Sequence, residues 1–298
     1  MTILVAIFLG IVQGLTEFLP VSSSGHLILF QSILNLPDDM MLFNIILHIA
    51  TLLAVLFVFR KRIWQLIRHP FNKTNYALIM ATIVTVGFVL LFKDFIDRTM
   101  TASVLPITFM ITAIVLFSTT FVGREKNKST TELTLSTAEE KATATETKKS
   151  ENTKKRRSFF LSSSSRANTV VDSSTQKEIS YTSALATGLA QGLAVVPGFS
   201  RSGFTISTAL ATGTSRERAA EFSFLMSIPI IIAALVYELI SNPNPAPIAP
   251  LPLMLAFVAA LVSGIFAIKF MLKLVKKIQL YWFSIYLIVL SIITIFVV

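Results

Sequence analysis

Apolar residues run along this chain in blocks long enough to cross a lipid bilayer. A hydrocarbon core of about 30 Å needs roughly 20 apolar residues in an α-helix. Uninterrupted blocks of that length occur near 41–60, 75–92, 102–122, 217–240, 251–273 and 279–298, so the pattern predicts six full spans. Two further apolar regions behave differently. The stretch from Ile3 to Leu34 is interrupted by Pro20 and the serines after it, and that from Thr182 to Thr212 by Pro197 and Gly198. Each half is too short to cross, which predicts two re-entrant helix pairs. Between the two groups, 123–180 is rich in Ser, Thr, Lys and Glu, with Phe159 and Phe160 its only aromatic residues. It is expected to be a polar, disordered cytoplasmic insert. The chain thus divides into a first membrane repeat, 1–122, the insert, 123–180, and a second membrane repeat, 181–298.

Composition supports this pattern. Of 298 residues, 53% are hydrophobic and 14% charged, and mean hydropathy is +0.72, outside the usual range of a soluble domain. Met1 to Pro20 contains no Lys or Arg and leads into serines rather than a cleavage site, so it does not read as a signal peptide. The absence of cysteine excludes disulfides and thiolate metal sites. Lys and Arg exceed Asp and Glu by 26 to 16, but the basic residues flank apolar spans. That distribution points to orientation in a membrane with anionic lipids, not to nucleic acid.

The two broken regions repeat one another. Gln13-Gly14-Leu15 and Gln191-Gly192-Leu193 each lead to a proline, a serine cluster and a glycine, and Gln13 to Gly25 spans the same twelve positions as Gln191 to Gly203. Ser22 therefore matches Ser200, Ser24 matches Ser202, and Ser23 faces Arg201. Arg60, Lys61, Arg62, Arg68 and Lys73 place the loop after the first span in the cytoplasm, as Arg216, Arg218, Lys273, Lys276 and Lys277 do for the later loops. The first broken pair then enters from outside and the second from inside, an inverted-topology repeat. Helix tips meeting at the midplane must line a polar cavity, because lipid-exposed backbone groups would go unsatisfied. Helix N-termini directed into it would favour an anion. Transporters use the same arrangement, so architecture alone leaves transport of a phosphorylated lipid open.

Several side chains can carry chemistry. Glu17 and Glu221 lie in apolar sequence, where an ionisable group costs roughly 2.5–3.5 kcal/mol and needs a partner; Arg201, able to hold phosphate in a bidentate fork, is the natural one. A purely structural Glu–Arg pair is the alternative. Ser22, Ser23, Ser24, Gly25 and His26 bring hydroxyls, bare amides and a base into five residues. Ser23 and His26 share a helical face, so His26 can take the Ser23 proton, although serines at helix starts also serve simply as caps. Gln13 and Glu17, four apart, share a face able to position a water or a divalent cation. His48 lies inside a long apolar span, where it either serves the site or bonds a neighbouring helix.

Gln13-Gly-Leu-Thr-Glu17-Phe-Leu-Pro-Val-Ser-Ser-Ser-Gly-His26 and Pro197-Gly-Phe-Ser200-Arg201-Ser-Gly-Phe-Thr205 together closely resemble the two signatures of the undecaprenyl-pyrophosphate phosphatase, or bacitracin-resistance, family. The resemblance extends through His48 to Leu56, Glu221-Phe-Ser-Phe-Leu and Ile268-Lys269, and so covers both halves. It implies removal of the terminal phosphate of undecaprenyl pyrophosphate at the cell membrane, assisted by Mg²⁺ or Ca²⁺, in a site open to the extracytoplasmic side. Its partners would be the polyprenyl pyrophosphate and membrane lipids, with monomer and homodimer both open. The resemblance assigns Glu17, Ser23, His26 and Arg201 to the reaction centre. Gln13, Ser22, Ser24, Gly25, Gly198, Ser200, Ser202 and Thr205 would shape the phosphate site, and Gln13 and Glu17 would be nearest the metal. Two features depart from the family: Gln13 takes the less acidic option at its position, and the insert is longer than usual. The expected chemistry is attack by Ser23 with His26 as base; the competing route has Glu17 or His26 activating water. The acid-phosphatase type of lipid phosphatase also has a Ser-Gly-His element, but no histidine follows Ser200-Arg201 at the spacing it requires.

Overall fold

Proline decides where the two interrupted apolar regions break. A residue preceding proline is pushed out of the α region, and Leu19, before Pro20, is extended at φ −73°, ψ 147°, ending helix α1 (Ile3–Phe18). The chain restarts as α2 (Ser23–Ile33). In the second broken region α8 (Tyr181–Leu193) ends ahead of Pro197, and α9 (Arg201–Ala211) follows. The computed structural model describes residues 1–37, 40–99, 101–121, 179–241, 248–277 and 279–297. The insert expected at 123–180 lies outside the described residues except for Ile179 and Ser180, as do Asp38 and Asp39.

Between the two broken pairs come α3 (Met41–Val58), α4 (Arg60–Arg68), α5 (Lys73–Leu91), α6 (Lys93–Arg98), a 3₁₀ turn (Ala102–Val104) and α7 (105–121). After α9 come α10 (Arg216–Ser241), α11 (Pro250–Lys277) and α12 (Tyr281–Val297). The described residues contain no strand. Among the described residues, five helical stretches are long and apolar enough to cross a membrane: Met41–Val58, Lys73–Leu91, Ala102–Phe121, Arg216–Ser241 and Pro250–Lys276. The sixth expected span, 279–298, forms the shorter α12 of 17 residues, about 25 Å long at 1.5 Å per residue and at the lower limit of a crossing. The basic segment 60–68, read from sequence as a loop, is the amphipathic helix α4.

Polarity runs inside out relative to a soluble fold. Ile240 is 75% exposed and Leu90 69%, while Gln13, Thr187 and Thr205 are fully buried. Apolar exteriors and buried polar groups that find partners are what a lipid solvent selects.

The helix partners of the two broken pairs follow the sequence repeat. α1 packs along α11, and α8 packs along α5. At both interfaces glycines four residues apart let backbones touch, the small-residue contact of membrane helices. A Cβ on Gly10 or Gly14 would overlap the α11 backbone at Ala256 or Ala260. One on Gly188 would meet the Ala81 carbonyl at 2.6 Å, and one on Gly192 the Phe88 ring at 2.7 Å. Gly10 and Gly14 match Gly188 and Gly192 in the alignment of the broken regions.

Basic segments from three helices meet at one end of the molecule. Arg62 of α4 and Arg218 of α10 both pair with Glu221, and Lys276 of α11 pairs with Glu217.

Candidate active site

The two breaks meet each other. Ser202 Oγ donates to the Leu19 carbonyl at 2.9 Å, tying the second break to the first. A Cβ on Gly25 would lie 3.0 Å from the Gly198 Cα and 2.6 Å from the Phe109 ring. Gly198 has φ +87°, which only glycine adopts easily, and a Cβ there would overlap Thr108. The expected substrate contacts Gly25 and Gly198 thus lie against one another behind the cavity wall, where they permit close approach of the tips. Each restarting helix is capped identically: Ser22 Oγ accepts from Gly25 N at 3.2 Å, and Ser200 Oγ from Gly203 N at 3.1 Å. Ser22 pays for its position with φ 69°, a conformation that costs of order 1–3 kcal/mol in a non-glycine residue.

A cavity of ≈ 170 Å³ opens at this junction. Its polar lining comprises Thr16, Glu17, Ser22, Ser23, Ser24, His48, Gln191, Ser200, Arg201 and Glu238, and its apolar lining Ala194, Val195, Phe199 and, along α10, Ile230, Ile231, Ala234 and Leu235. Seven residues singled out from sequence, Glu17, Ser22, Ser23, Ser24, His48, Ser200 and Arg201, are brought together here.

Glu17 is the hub. Its Oε1 pairs with the Arg201 guanidinium. Its Oε2 accepts from Ser23 Oγ at 2.5 Å and from Gln13 Nε2 at 3.0 Å. The expected Glu17–Arg201 partnership is thereby formed, across 184 positions of sequence. A carboxylate in contact with a serine hydroxyl can take its proton as the oxygen attacks. Arg201 Nη1 is buried and has no hydrogen-bond partner among the described residues, which leaves a charged donor to meet an anion.

His26 does not meet Ser23. Its Nδ1 is 2.6 Å from the Ser22 carbonyl, which can only accept, so in the neutral ring Nδ1 carries the hydrogen. Nε2 then accepts from the Tyr286 hydroxyl of α12, also at 2.6 Å, with the two rings stacked at 5.7 Å. Both nitrogens are engaged and His26 does not line the cavity. The helical spacing of Ser23 and His26 suggested a base–nucleophile pair, but the ring turns toward a helix 260 residues away. Glu17 takes that place beside the serine.

Other expected residues support the site from behind. Gln13 is fully buried, bonded to Glu17, and does not line the cavity. Thr205 Oγ1 donates within α9 to the Arg201 carbonyl at 2.7 Å and meets Ser223 Oγ at 2.6 Å. Glu221 stands apart with Arg62 and Arg218. His48 donates from Nδ1 to the Asn44 carbonyl at 2.7 Å and lies close enough to interact electrostatically with Glu17 and Glu238. Sequence reasoning missed Gln191, Glu238 and Tyr286. Gln191 was legible as the repeat partner of Gln13 and Glu238 as an acid in an apolar stretch; nothing local marked Tyr286.

Fold and site together define a multi-pass helical membrane protein with an acid–serine–arginine centre buried where two broken helix pairs meet. The chain belongs to the bacitracin resistance protein BacA family, whose model matches residues 6–140 and 154–293. It is similar to a protein of Carboxydothermus hydrogenoformans named undecaprenyl-diphosphatase, 38% identical over 292 residues covering 96% of this chain and 94% of the relative. Proteins of the same name from Treponema denticola, 38% identical over 303 residues, and Korarchaeum cryptofilum, 31% over 309, are covered to 94% and 98% of their length, and match 97% and 98% of this chain.

Proposed function

We propose that this chain is a membrane phosphatase that hydrolyses undecaprenyl pyrophosphate to undecaprenyl phosphate and inorganic phosphate. It thereby recycles the lipid carrier for peptidoglycan and other wall polymers and confers resistance to bacitracin. The observation that carries this reading is the Ser23–Glu17–Arg201 constellation in a cavity lined by both polar and apolar residues. Arg201 and the amides at the starts of α2 and α9 hold the pyrophosphate, and the apolar lining along α10 receives the first prenyl units.

Ser23 Oγ attacks the terminal phosphorus as its proton passes to Glu17. The P–O bond to the bridging oxygen breaks, and its electron pair leaves with the prenyl monophosphate. Water then bonds to the phosphoseryl phosphorus, the Oγ–P bond breaks, and Glu17 returns its proton to Oγ. Phosphate departs as the dihydrogen anion with both water hydrogens. Arg201 stabilises the equatorial oxygens in both steps.

A divalent cation, Mg²⁺ or Ca²⁺, is part of this proposal. The described residues hold no cluster of three acidic or histidine ligands. The Glu17 carboxylate on the cavity lining and the unpartnered Gln13 Oε1 behind it would offer hard oxygens to a cation that completes its shell with substrate phosphate and water. When bound, it would neutralise pyrophosphate charge.

We further read the chain as six spans and two re-entrant pairs in an inverted repeat, with α12 the sixth span, in the cell membrane. The cavity follows α10 from Ile230 to Glu238, away from the Arg216–Arg218 end. With that basic end in the cytoplasm, the site opens to the extracytoplasmic side. Phosphate release from undecaprenyl pyrophosphate by purified protein in detergent, with and without chelator, tests the reading. Turnover abolished by chelator and restored by Mg²⁺ or Ca²⁺ is expected; intact substrate with any cation would overturn the proposed activity and favour transport.

A further inference from the structure

Gln191 brings a neutral amide to a cavity whose other polar groups are carboxylates, hydroxyls, an imidazole and a guanidinium. It is 1% exposed, lines the same cavity as Ser23 and Arg201, and its Oε1 has no hydrogen-bond partner among the described residues. The orientation of its amide follows from its neighbour. Thr85 Oγ1 lies 2.8 Å from both the Ala81 and the Gly188 carbonyls. Since a carbonyl only accepts, the single hydroxyl hydrogen of Thr85 is committed to them. Thr85 can therefore only accept from Gln191, whose Nε2 stands 3.2 Å away. The amide nitrogen is thus pinned to α5, and the amide oxygen of this cavity-lining residue is left without a partner among the described residues.

An amide oxygen repels an ionised phosphate, so Gln191 does not help hold the pyrophosphate. A group that can satisfy it is the O–H of water. We propose that Gln191 is a positioning residue for the water that resolves the phosphoseryl intermediate, an inference that rests on the two-step reading above. In that step Oε1 accepts one water hydrogen and so directs the water's lone pair at phosphorus. The water oxygen bonds to phosphorus, Ser23 Oγ leaves with the proton held by Glu17, and both water hydrogens depart with the phosphate. Glutamine is suited to this task because it orients water without removing a proton, the same use made of it in nucleotide hydrolysis. Thr85 acts one step further back, through Gln191.

The test is pre-steady-state kinetics of the purified full chain with undecaprenyl pyrophosphate. For Gln191→Leu we expect the first turnover of prenyl monophosphate to be preserved. Steady-state kcat should fall on the order of 10²-fold with KM within about threefold, and the protein should gain the mass of one phosphoryl group on Ser23. Thr85→Val should show the same pattern more weakly, and Thr85→Ser, which keeps the acceptor, should restore it. Unchanged kinetics, a rise in KM alone, or equal loss in first and later turnovers without phosphoprotein would each overturn the inference. So would recovery of Gln191→Leu by excess Mg²⁺ or Ca²⁺, which would make Oε1 a cation ligand. If Gln191→Leu does not fold, the Thr85 pair decides. Ser23→Ala run in parallel separates the levels: full activity there sinks the two-step reading itself, whatever Gln191 does.

Discussion

Gln13 and Gln191 hold the same place in the two broken helix pairs, and their amides are put to different uses. The nitrogen of Gln13 is spent on Glu17, in the wall behind the reacting groups. That of Gln191 is spent on Thr85 of a neighbouring helix, and its oxygen is left without a partner among the described residues. The asymmetry extends through the breaks. Four residues after Gln13 stands Glu17, but four after Gln191 stands Val195; Ser23 faces Arg201. In the proposed mechanism one pair supplies the acid and the nucleophile, and the other the guanidinium and the amide that positions water. The two helix-tip frames match in spacing, and the chemically distinct groups stand where they differ. Features kept in both copies, the capping serines and the paired glycines, are those that hold the tips in place.

The sharpest way to break this division is at the divergent positions of the first pair. Ser23→Ala and Glu17→Gln should each lower kcat for phosphate release by roughly 10³-fold or more, because each removes a partner in the bond-making step. Activity within tenfold of the parent in Ser23→Ala would transfer attack to water. On the second pair, Arg201→Lys keeps the charge but loses the fork, and a fall in kcat/KM of about 10²-fold is expected. Kinetics indistinguishable from the parent would show that a point charge suffices. His26→Gln and Tyr286→Phe lose one hydrogen bond worth about 1 kcal/mol and should cost at most roughly tenfold. Were His26 the base for Ser23, His26→Gln would instead match Ser23→Ala.

The features shared by both copies are tested by stability. Gly14→Ala and Gly188→Ala force apart touching backbones and should lower the thermal midpoint in detergent, at a cost of about 1–3 kcal/mol. Gly87→Ala is the control, since nothing lies within 4 Å of a Cβ there; it should be neutral or stabilising by up to about 1 kcal/mol. Equal midpoints for all three would remove the close-contact argument. The smallest effect is expected for Glu221→Gln, whose carboxylate pairs with Arg62 and Arg218 and which should change turnover less than about twofold. A large loss would join that cluster to the site.

Much of this was legible in the chain itself, for a physical reason. A bilayer imposes a simple rule on sequence: apolar blocks of set length, breaks only where a cavity or protein shelters the backbone, charges only with partners. The rule was enough to locate the five long spans, both breaks, the matched spacing of Gln13–Gly25 and Gln191–Gly203, and the partnership of Glu17 with Arg201. What it could not reach were choices made by atoms distant in sequence. The helical spacing of Ser23 and His26 suggested a pair, but Tyr286 captures the imidazole and Glu17 the hydroxyl. Gly25 and Gly198 read as anion contacts, and the fold packs them against one another. Glu221 looked like a second buried acid but joins a basic cluster, while Glu238 reaches the cavity. Sequence by itself determined which residue types are present and the backbone frame that carries them, because periodicity and proline act locally. Only the tertiary structure decided which hydrogen bonds those side chains make, because each has several partners within reach and packing chooses among them.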